Sequence, residues 1–297
     1  QGPTGACVQH GTGTVLHTRP RGPLESRTPI SLGVELFGEA TLSADIEVIE
    51  LFLQTLKSSG VANVHLDLGH VDIFRGLLAV ANLDNDQENQ LFELLQRKAS
   101  DELSAWIAAN VSDSKLAGWL NVLPTLAGNA EVLAGAKKAL AGAPEPVLAA
   151  IMQLEQVVAA LPKGEVTVYL DLGELPGYHY HTGIVFAGYV QGYGKALGNG
   201  GRYDHVGEAF GRSRPATGFA FDLKSLVTQG NTHYGAVAGI FVPYTSDAEC
   251  HQQVALLRAQ GNRVVQGFAD QIVNYQEIKC DRRLVQQDGH YVIESLS

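Results

Sequence analysis

The spacing of apolar positions changes character three times along the chain. Residues 14–17 and 30–37 read as two strands joined by the Arg- and Pro-bearing loop RPRGPLESRTP. Through 43–56, Ile46, Ile49, Leu53 and Leu56 recur at helical spacing. Asp45 and Glu47 stand in the first turn, where acids oppose the helix dipole, and Gly60 closes the helix. Residues 61–68, VANVHLDL, alternate apolar with polar and predict a half-buried strand. From 71 to about 162, Ala, Leu, Gln and Glu dominate and β-branched residues thin out. Residues 84–98, 100–109, 130–140 and 146–161 are the clearest helical stretches, so this region is expected to be an insertion of about four to six helices. Its Leu and Ala stripes call only for core packing.

Strand character returns at 165–172 and 182–189, then passes through a glycine-rich turn ending in GNGGRYD to a strand and short helix at 216–227. The tail is different in style. A strand at 236–242 precedes a helix at 246–260, entered through a Ser246–Glu249 capping box and stopped at Gly261. Another strand follows at 263–266, and LVQQDGHYVIESL predicts a hairpin around Asp288-Gly289. The pattern therefore divides the chain into a first domain, 1–230, and a small α/β domain, 231–297, with the boundary placed near 229–233.

Composition narrows the possibilities. With 297 residues, 45% hydrophobic and 18% charged, the chain can bury one large core or two modest ones. No apolar run is long enough to cross a bilayer, so no membrane partner is expected. The chain opens at Gln1 without an obvious strand or helix entry, and the natural N-terminus is expected to lie upstream. A net charge of −10 speaks against a broad basic surface for tRNA, although Arg19, Arg21 and Arg27 could form a local patch. Cys7, Cys250 and Cys280 are odd in number and widely spaced, which suits a reducing cytoplasm rather than a disulfide framework or structural zinc site.

Signatures of common enzymes are absent: there is no phosphate loop, GxGxxG after a strand, GxSxG elbow or HExxH. The glycines of GYGKALGNGGRYD open no helix onto a phosphate and fit a hairpin turn better. His179 and His181 would share a face on a strand, and His65 and His70 flank another strand end, but no carboxylate or cysteine completes a metal set. Neither metal nor cofactor is expected. The densest polar and aromatic cluster is GYHYHTG, where Tyr178, His179, Tyr180 and His181 alternate. That pattern fits a small aromatic-walled pocket or a buried structural strand, and periodicity leaves both open.

YHYHTGIVFAGYV, then GGRYDHV, then PATGFAFDL resemble, in order and spacing, a histidine-specific segment and motif 3 of histidyl-tRNA synthetases. VLHTRPRGPLESRTPISLGVELFG resembles their motif 2. LHTRPRG, SRTPISLGVELFG, LDLGHVDIFRGL and RPATGFAFDL are more similar still to the synthetase-like regulatory subunits of ATP phosphoribosyltransferase. The resemblance implies an α+β fold: a class II aminoacyl-tRNA synthetase-like antiparallel sheet of six or seven strands, flanking helices, the helical insertion at about 71–162 and the small α/β tail.

It also implies what has been lost. The motif 2 Arg and Glu that hold ATP in synthetases correspond to Leu16 and Thr18, with His17 between them. A synthetase arginine falls at about Pro176, an aspartate at His179, and the motif 3 arginine at Ser225. Removing one donor to developing transition-state charge costs about 2.7–4 kcal/mol, and losing several that act together leaves little catalysis. No catalytic residue and no aminoacylation are therefore expected.

The amino-acid half is kept. Glu35 matches the acid that holds the α-amino group, Tyr180 and His181 stand at the paired tyrosines, and Gly200, Gly201, Arg202 and Tyr203 keep the GGRY segment. With Tyr178 these define the expected histidine pocket, Glu35, Tyr178, Tyr180, His181, Gly201, Arg202 and Tyr203, although Ser31 replaces a synthetase glutamine. The implied protein is a cytoplasmic, non-catalytic regulatory subunit for the first step of histidine biosynthesis. It would dimerise within a hetero-oligomer with the short catalytic subunit and relay feedback by histidine. A divergent histidyl-tRNA synthetase and a stand-alone amino-acid-binding module are the alternatives.

Overall fold

A computed structural model describes residues 6–18, 26–173, 177–178, 180–231, 238–269 and 272–296. The chain forms two compact units, 1–232 and 233–297. Arg19, Arg21, Pro176, His179 and His233 lie outside the described residues.

In the first unit the chain runs through β1 (Cys7–Thr14), β2 (Ile30–Phe37), α1 (Leu42–Ser58) and β3 (Val64–His70). The insertion follows as α2 (Val71–Leu78), α3 (Asn85–Gln96), α4 (Ser100–Asn110), α5 (Ser114–Val122), the short β4 (Ala127–Gly128), α6 (Val132–Ala139) and α7 (Glu145–Ala160). The sheet is completed by β5 (Thr167–Asp171), β6 (Ile184–Val190), β7 (Gly198–Arg202) and β8 (Ala216–Asp222), with α8 (Leu223–Gln229) last. Strand order is β1-β2-β8-β7-β6-β3-β5-β4. That makes eight strands rather than six or seven, and β3 pairs with β5 in parallel while its neighbours are antiparallel. The insertion separates β3 from β5 and supplies the crossover a parallel pair needs.

Two departures from the sequence pattern fall where glycine carries no periodicity. The first strand is Cys7–Thr14, not 14–17. Its sequence CVQHGTGT is mostly exposed, so alternation is invisible. Residues 15–17 extend the hairpin only through Val15 N–H to the Pro29 carbonyl and His17 N–H to the Arg27 carbonyl. GNGGR is a full strand, β7, instead of a turn, because its neighbours crowd out side chains. A Cβ on Gly198 would lie 2.3 Å from the Phe221 ring, and one on Gly200 would lie 2.2 Å from the Gly218 carbonyl oxygen. Of the two readings left open for the Tyr–His alternation, the described residues 177, 178, 180 and 181 support a turn: Tyr180 and His181 N–H both donate to the Gly177 carbonyl, and Gly177 has φ 67°.

Strand alternation sorts the sheet into two faces. One carries Leu32, Val34, Leu36, Phe186, Phe219 and Phe221 into the core under α1. Phe52 of α1 stacks on Phe221 at 4.6 Å and meets Phe186 and Phe219 edge-on. The opposite face is floored by small residues. One row of register partners runs Gly11, Gly33, Ala220, Asn199, Ala187, Asp67. The next runs Gln9, Glu35, Gly218, Gly201, Val185, Gly69. This open face is a trough with few side chains to fill it and acids toward both ends.

The second unit contains β9 (Gly239–Val242), α9 (Ala248–Ala259), β10 (Val264–Gln266), β11 (Cys280–Gln287) and β12 (His290–Ser295), in sheet order β10-β9-β11-β12. Helix α9 is capped by Asp247, whose carboxylate accepts from Glu249 N–H, so the expected Ser246–Glu249 box is displaced by one residue. The β11–β12 hairpin turns at Asp288-Gly289, both with positive φ.

Candidate functional site

The site assembles where the trough meets the 177–181 turn. Glu35 is opposite Gly218 in the β2–β8 ladder. A Cβ on Gly218 would sit 1.7 Å from Glu35 Oε2, so this glycine is the space the carboxylate occupies. Tyr203, just past β7, donates its hydroxyl proton to that oxygen. Burial pushes Glu35 above its ordinary 4.5, and the Tyr203 bond opposes the shift. Burial and the Glu35 carboxylate together push Tyr203 well above the usual phenol range. The phenol remains the proton donor, and the pair presents one negative charge to the trough.

Aromatic rings wall this acid. Tyr180 stacks on Tyr203 at 5.0 Å and meets the His181 ring edge-on at 5.0 Å. Tyr180 is 48% exposed, which leaves one ring face open to a ligand. His181 is buried beneath it, between Gly177 and Gly201. A Cβ on Gly201 would lie 2.8 Å from His181 Nδ1. His181 Nδ1 is 3.3 Å from the Arg202 carbonyl. A carbonyl only accepts, so Nδ1 carries the proton and Nε2 is left as an acceptor. Burial lowers the His181 pKa from its ordinary 6.5 and holds the ring neutral.

His181 also borders a cavity of about 210 Å³ lined by Asp67, Gly69, Asp171, Val185 and Asn199. Lys98, from the insertion, reaches Asp171 on its wall. The arrangement offers an anion, aromatic faces and a neutral imidazole beside a small cavity. That combination suits a cationic amine joined to a compact ring.

The structure brings Glu35, Tyr180, His181, Gly201 and Tyr203 together. It places the other two expected residues elsewhere. Tyr178 turns away to pack against Phe74 and Phe92 at 5.3 and 5.4 Å, under Arg75. Arg202 points through the sheet to the core side, where it pairs with Asp45 at 2.9 Å. Asp45 is accordingly not a solvent-facing dipole acid but a buried partner; burial pushes its pKa up and Arg202 opposes this. Gly218, Arg75 and Asp67 were missed. Gly218 could have been found from its place opposite Glu35 once the β2–β8 register was known.

Leu16, Thr18 and Ser225, which the resemblance sets against ATP-binding residues, bring no cation. Leu16 is 68% exposed. Ser225 is buried, accepts from the Tyr193 hydroxyl and donates to Asp222. Arg27 folds back onto the His17 and Thr18 carbonyls of its own hairpin. Among the described residues no three His, Cys, Asp or Glu side chains cluster as a metal set. Among the same residues no helix is long and apolar enough to cross a membrane.

The family model for Histidyl-tRNA synthetase matches residues 10–226, and that for the ATP phosphoribosyltransferase subunit HisZ C-terminal domain matches 237–294. The ATP phosphoribosyltransferase regulatory subunit of Pseudomonas savastanoi pv. phaseolicola is 48% identical, over all of this chain and 75% of its own length. The chain belongs to the ATP phosphoribosyltransferase regulatory subunit family. An ATP phosphoribosyltransferase regulatory subunit/histidyl-tRNA synthetase from Bacillus halodurans superposes with TM-score 0.73 at 26% identity, over 91% of this chain and 70% of that one. A chain of the ATP phosphoribosyl transferase (HisG:HisZ) complex from Thermotoga maritima shares the fold at TM-score 0.58 and 17% identity, over 74% of each chain. The family model for the first unit and the regulatory-subunit relatives agree with the class II synthetase-like sheet described above.

Proposed function

We propose that this chain assembles with a short catalytic subunit of ATP phosphoribosyltransferase, sustains its active arrangement and relays feedback by histidine bound in the trough. The chemistry, joining ATP to phosphoribosyl pyrophosphate with release of pyrophosphate, lies on the partner. The observation that carries the reading is the contrast between the open face of the sheet and helix α8, which follows β8. The Glu35–Tyr203 acid with its aromatic wall is intact, whereas Ser225 is committed to Tyr193 and Asp222. Histidine fits the intact half, with its ammonium at Glu35 and its ring toward Tyr180 and His181. Dimerisation of this chain within the hetero-oligomer, in the cytoplasm, belongs to the same proposal.

Feedback then works as a population shift: histidine binds the less active arrangement of the complex better and lowers the active fraction. Co-purification with a short catalytic subunit, followed by pyrophosphate release with and without histidine, tests the proposal. Stimulation by this chain and inhibition by histidine are expected. No association, or full activity at saturating histidine, would refute the corresponding half. Histidine-dependent ATP–pyrophosphate exchange by the chain alone would establish a synthetase instead.

A further inference from the structure

The turn bearing Tyr180 and His181 lies outside the sheet ladders, and a side chain from the helical insertion reaches across to hold it. Arg75 of α2 donates through Nη2 to the Tyr178 and His181 carbonyls, both at 2.9 Å. Its guanidinium lies 5.1 Å over the Tyr178 ring, and Nη1 is 3.8 Å from Asp72. The helix presenting it is itself fixed at both ends. The His70 ring accepts from Asp72 N–H at the start of α2. Next to Arg75, Gly76 packs so closely on α7 that a Cβ would lie 2.7 Å from Val147.

We infer that Arg75 is a positioning residue for the trough, clamping the Tyr180–His181 turn to the insertion. This rests on the reading that the trough takes histidine. The clamp fixes both carbonyls with one charged donor group, and charge-assisted bonds of this kind are the stronger class. The planar fork also lies on Tyr178 while it donates, a geometry that a lysine ammonium, a compact point charge without a planar fork, does not reproduce. Arg75 does not touch the ligand; it sets where Tyr180 and His181 stand. Coupling is reciprocal, so a ligand seated against Tyr180 and His181 is felt by the insertion, and displacement of α2 is felt by the ligand.

The test uses the full chain carrying Arg75→Ala, Arg75→Lys or, as a control, Arg97→Ala, which removes an exposed pair with Glu102 on the same insertion. Titration calorimetry with L-histidine and amide hydrogen exchange at residues 180–182 of the ligand-free chain are the readouts. For Arg75→Ala, affinity is expected to fall about ten- to a hundredfold, with faster exchange at the Tyr180 and His181 amides. Added guanidinium ion should restore part of the affinity, Arg75→Lys should restore little, and Arg97→Ala should change neither readout. Wild-type affinity and wild-type exchange in Arg75→Ala would overturn the clamp. Faster exchange in a protein whose wild type binds no histidine would keep the clamp and reject the histidine reading.

Discussion

Arg202→Met asks whether the arginine of the GGRY segment serves the ligand or the fold. Every N–H of its guanidinium has a protein acceptor. Nε reaches both Asp45 oxygens at 3.1 and 3.0 Å, and Nη1 reaches the Glu39 carbonyl and Asp204, each at 3.2 Å. Nη2 reaches the Thr41 carbonyl at 3.3 Å and Asp45 at 2.9 Å. Asp45 is 3% exposed and Arg202 is 7% exposed, so water does not replace the lost partner. Breaking such a pair from one side costs about 3–5 kcal/mol. At roughly 2–4 °C per kcal/mol for a unit of this size, the melting temperature should fall by roughly 6–20 °C.

Calorimetry of Arg202→Met, Asp45→Leu and the double variant forms the assay. The double variant should recover much of the loss, because it leaves no unpaired charge. Where Arg202→Met remains folded, its histidine affinity should stay within about twofold of wild type, since no donor is free to leave. A melting temperature within about 4 °C of wild type, or a double variant as damaged as the two singles combined, would refute the structural role.

Gly218→Ala drives a methyl into the Glu35 carboxylate and should weaken histidine binding at least about tenfold by calorimetry, a loss comparable to one displaced charged hydrogen bond. Glu35 gives a pH signature. Because burial raises its pKa, binding that needs the carboxylate should weaken as pH falls through a midpoint above 4.5, and Glu35→Gln should remove that limb. A raised carboxylate pKa also means that the folded state loses stability as pH rises through it, so Glu35→Gln should weaken binding at least about tenfold without lowering the neutral-pH melting temperature. His70 behaves oppositely: burial lowers its pKa, and its ring accepts from Asp72 N–H in the neutral form. Its contribution is present above 6.5 and lost as pH falls through the folded value, so His70→Asn, which keeps a cap acceptor, should flatten the loss of stability between about pH 7 and 5 in acid-titrated melts.

The parts of this fold that were legible in the sequence are those in which side chains carry a period. The insertion helices announced themselves through Leu91, Leu95, Leu103, Ile107, Ile151 and Leu154, all buried. Strand β2 was legible because Leu32, Val34 and Leu36 alternate with Ser31, Gly33 and Glu35. Strands β1 and β7 were not, because an open floor needs glycine, and glycine leaves no pattern. Around Tyr178 and Tyr180 the sequence left a pocket and a strand both open, because alternating Tyr and His fit either, while Gly177 at positive φ sends Tyr178 and Tyr180 to different neighbours.

Ionic partners were the least legible feature. Asp45 and Arg202 are 157 residues apart, and Arg75 meets carbonyls 103 and 106 residues away. Only the assembled sheet and insertion bring these groups together. Resemblance supplied Glu35, but the glycine that makes room for its carboxylate became visible only with the β2–β8 register.

The central claim is that the trough reads histidine for a partner's catalysis. The most direct measurement is histidine inhibition of pyrophosphate release by the complex of this chain with a short catalytic subunit, compared between wild type and Glu35→Gln. The account predicts that Glu35→Gln still stimulates the catalytic subunit but needs at least about tenfold more histidine for half-inhibition, the loss expected for a charged hydrogen bond. Identical inhibition curves for the two complexes would contradict it.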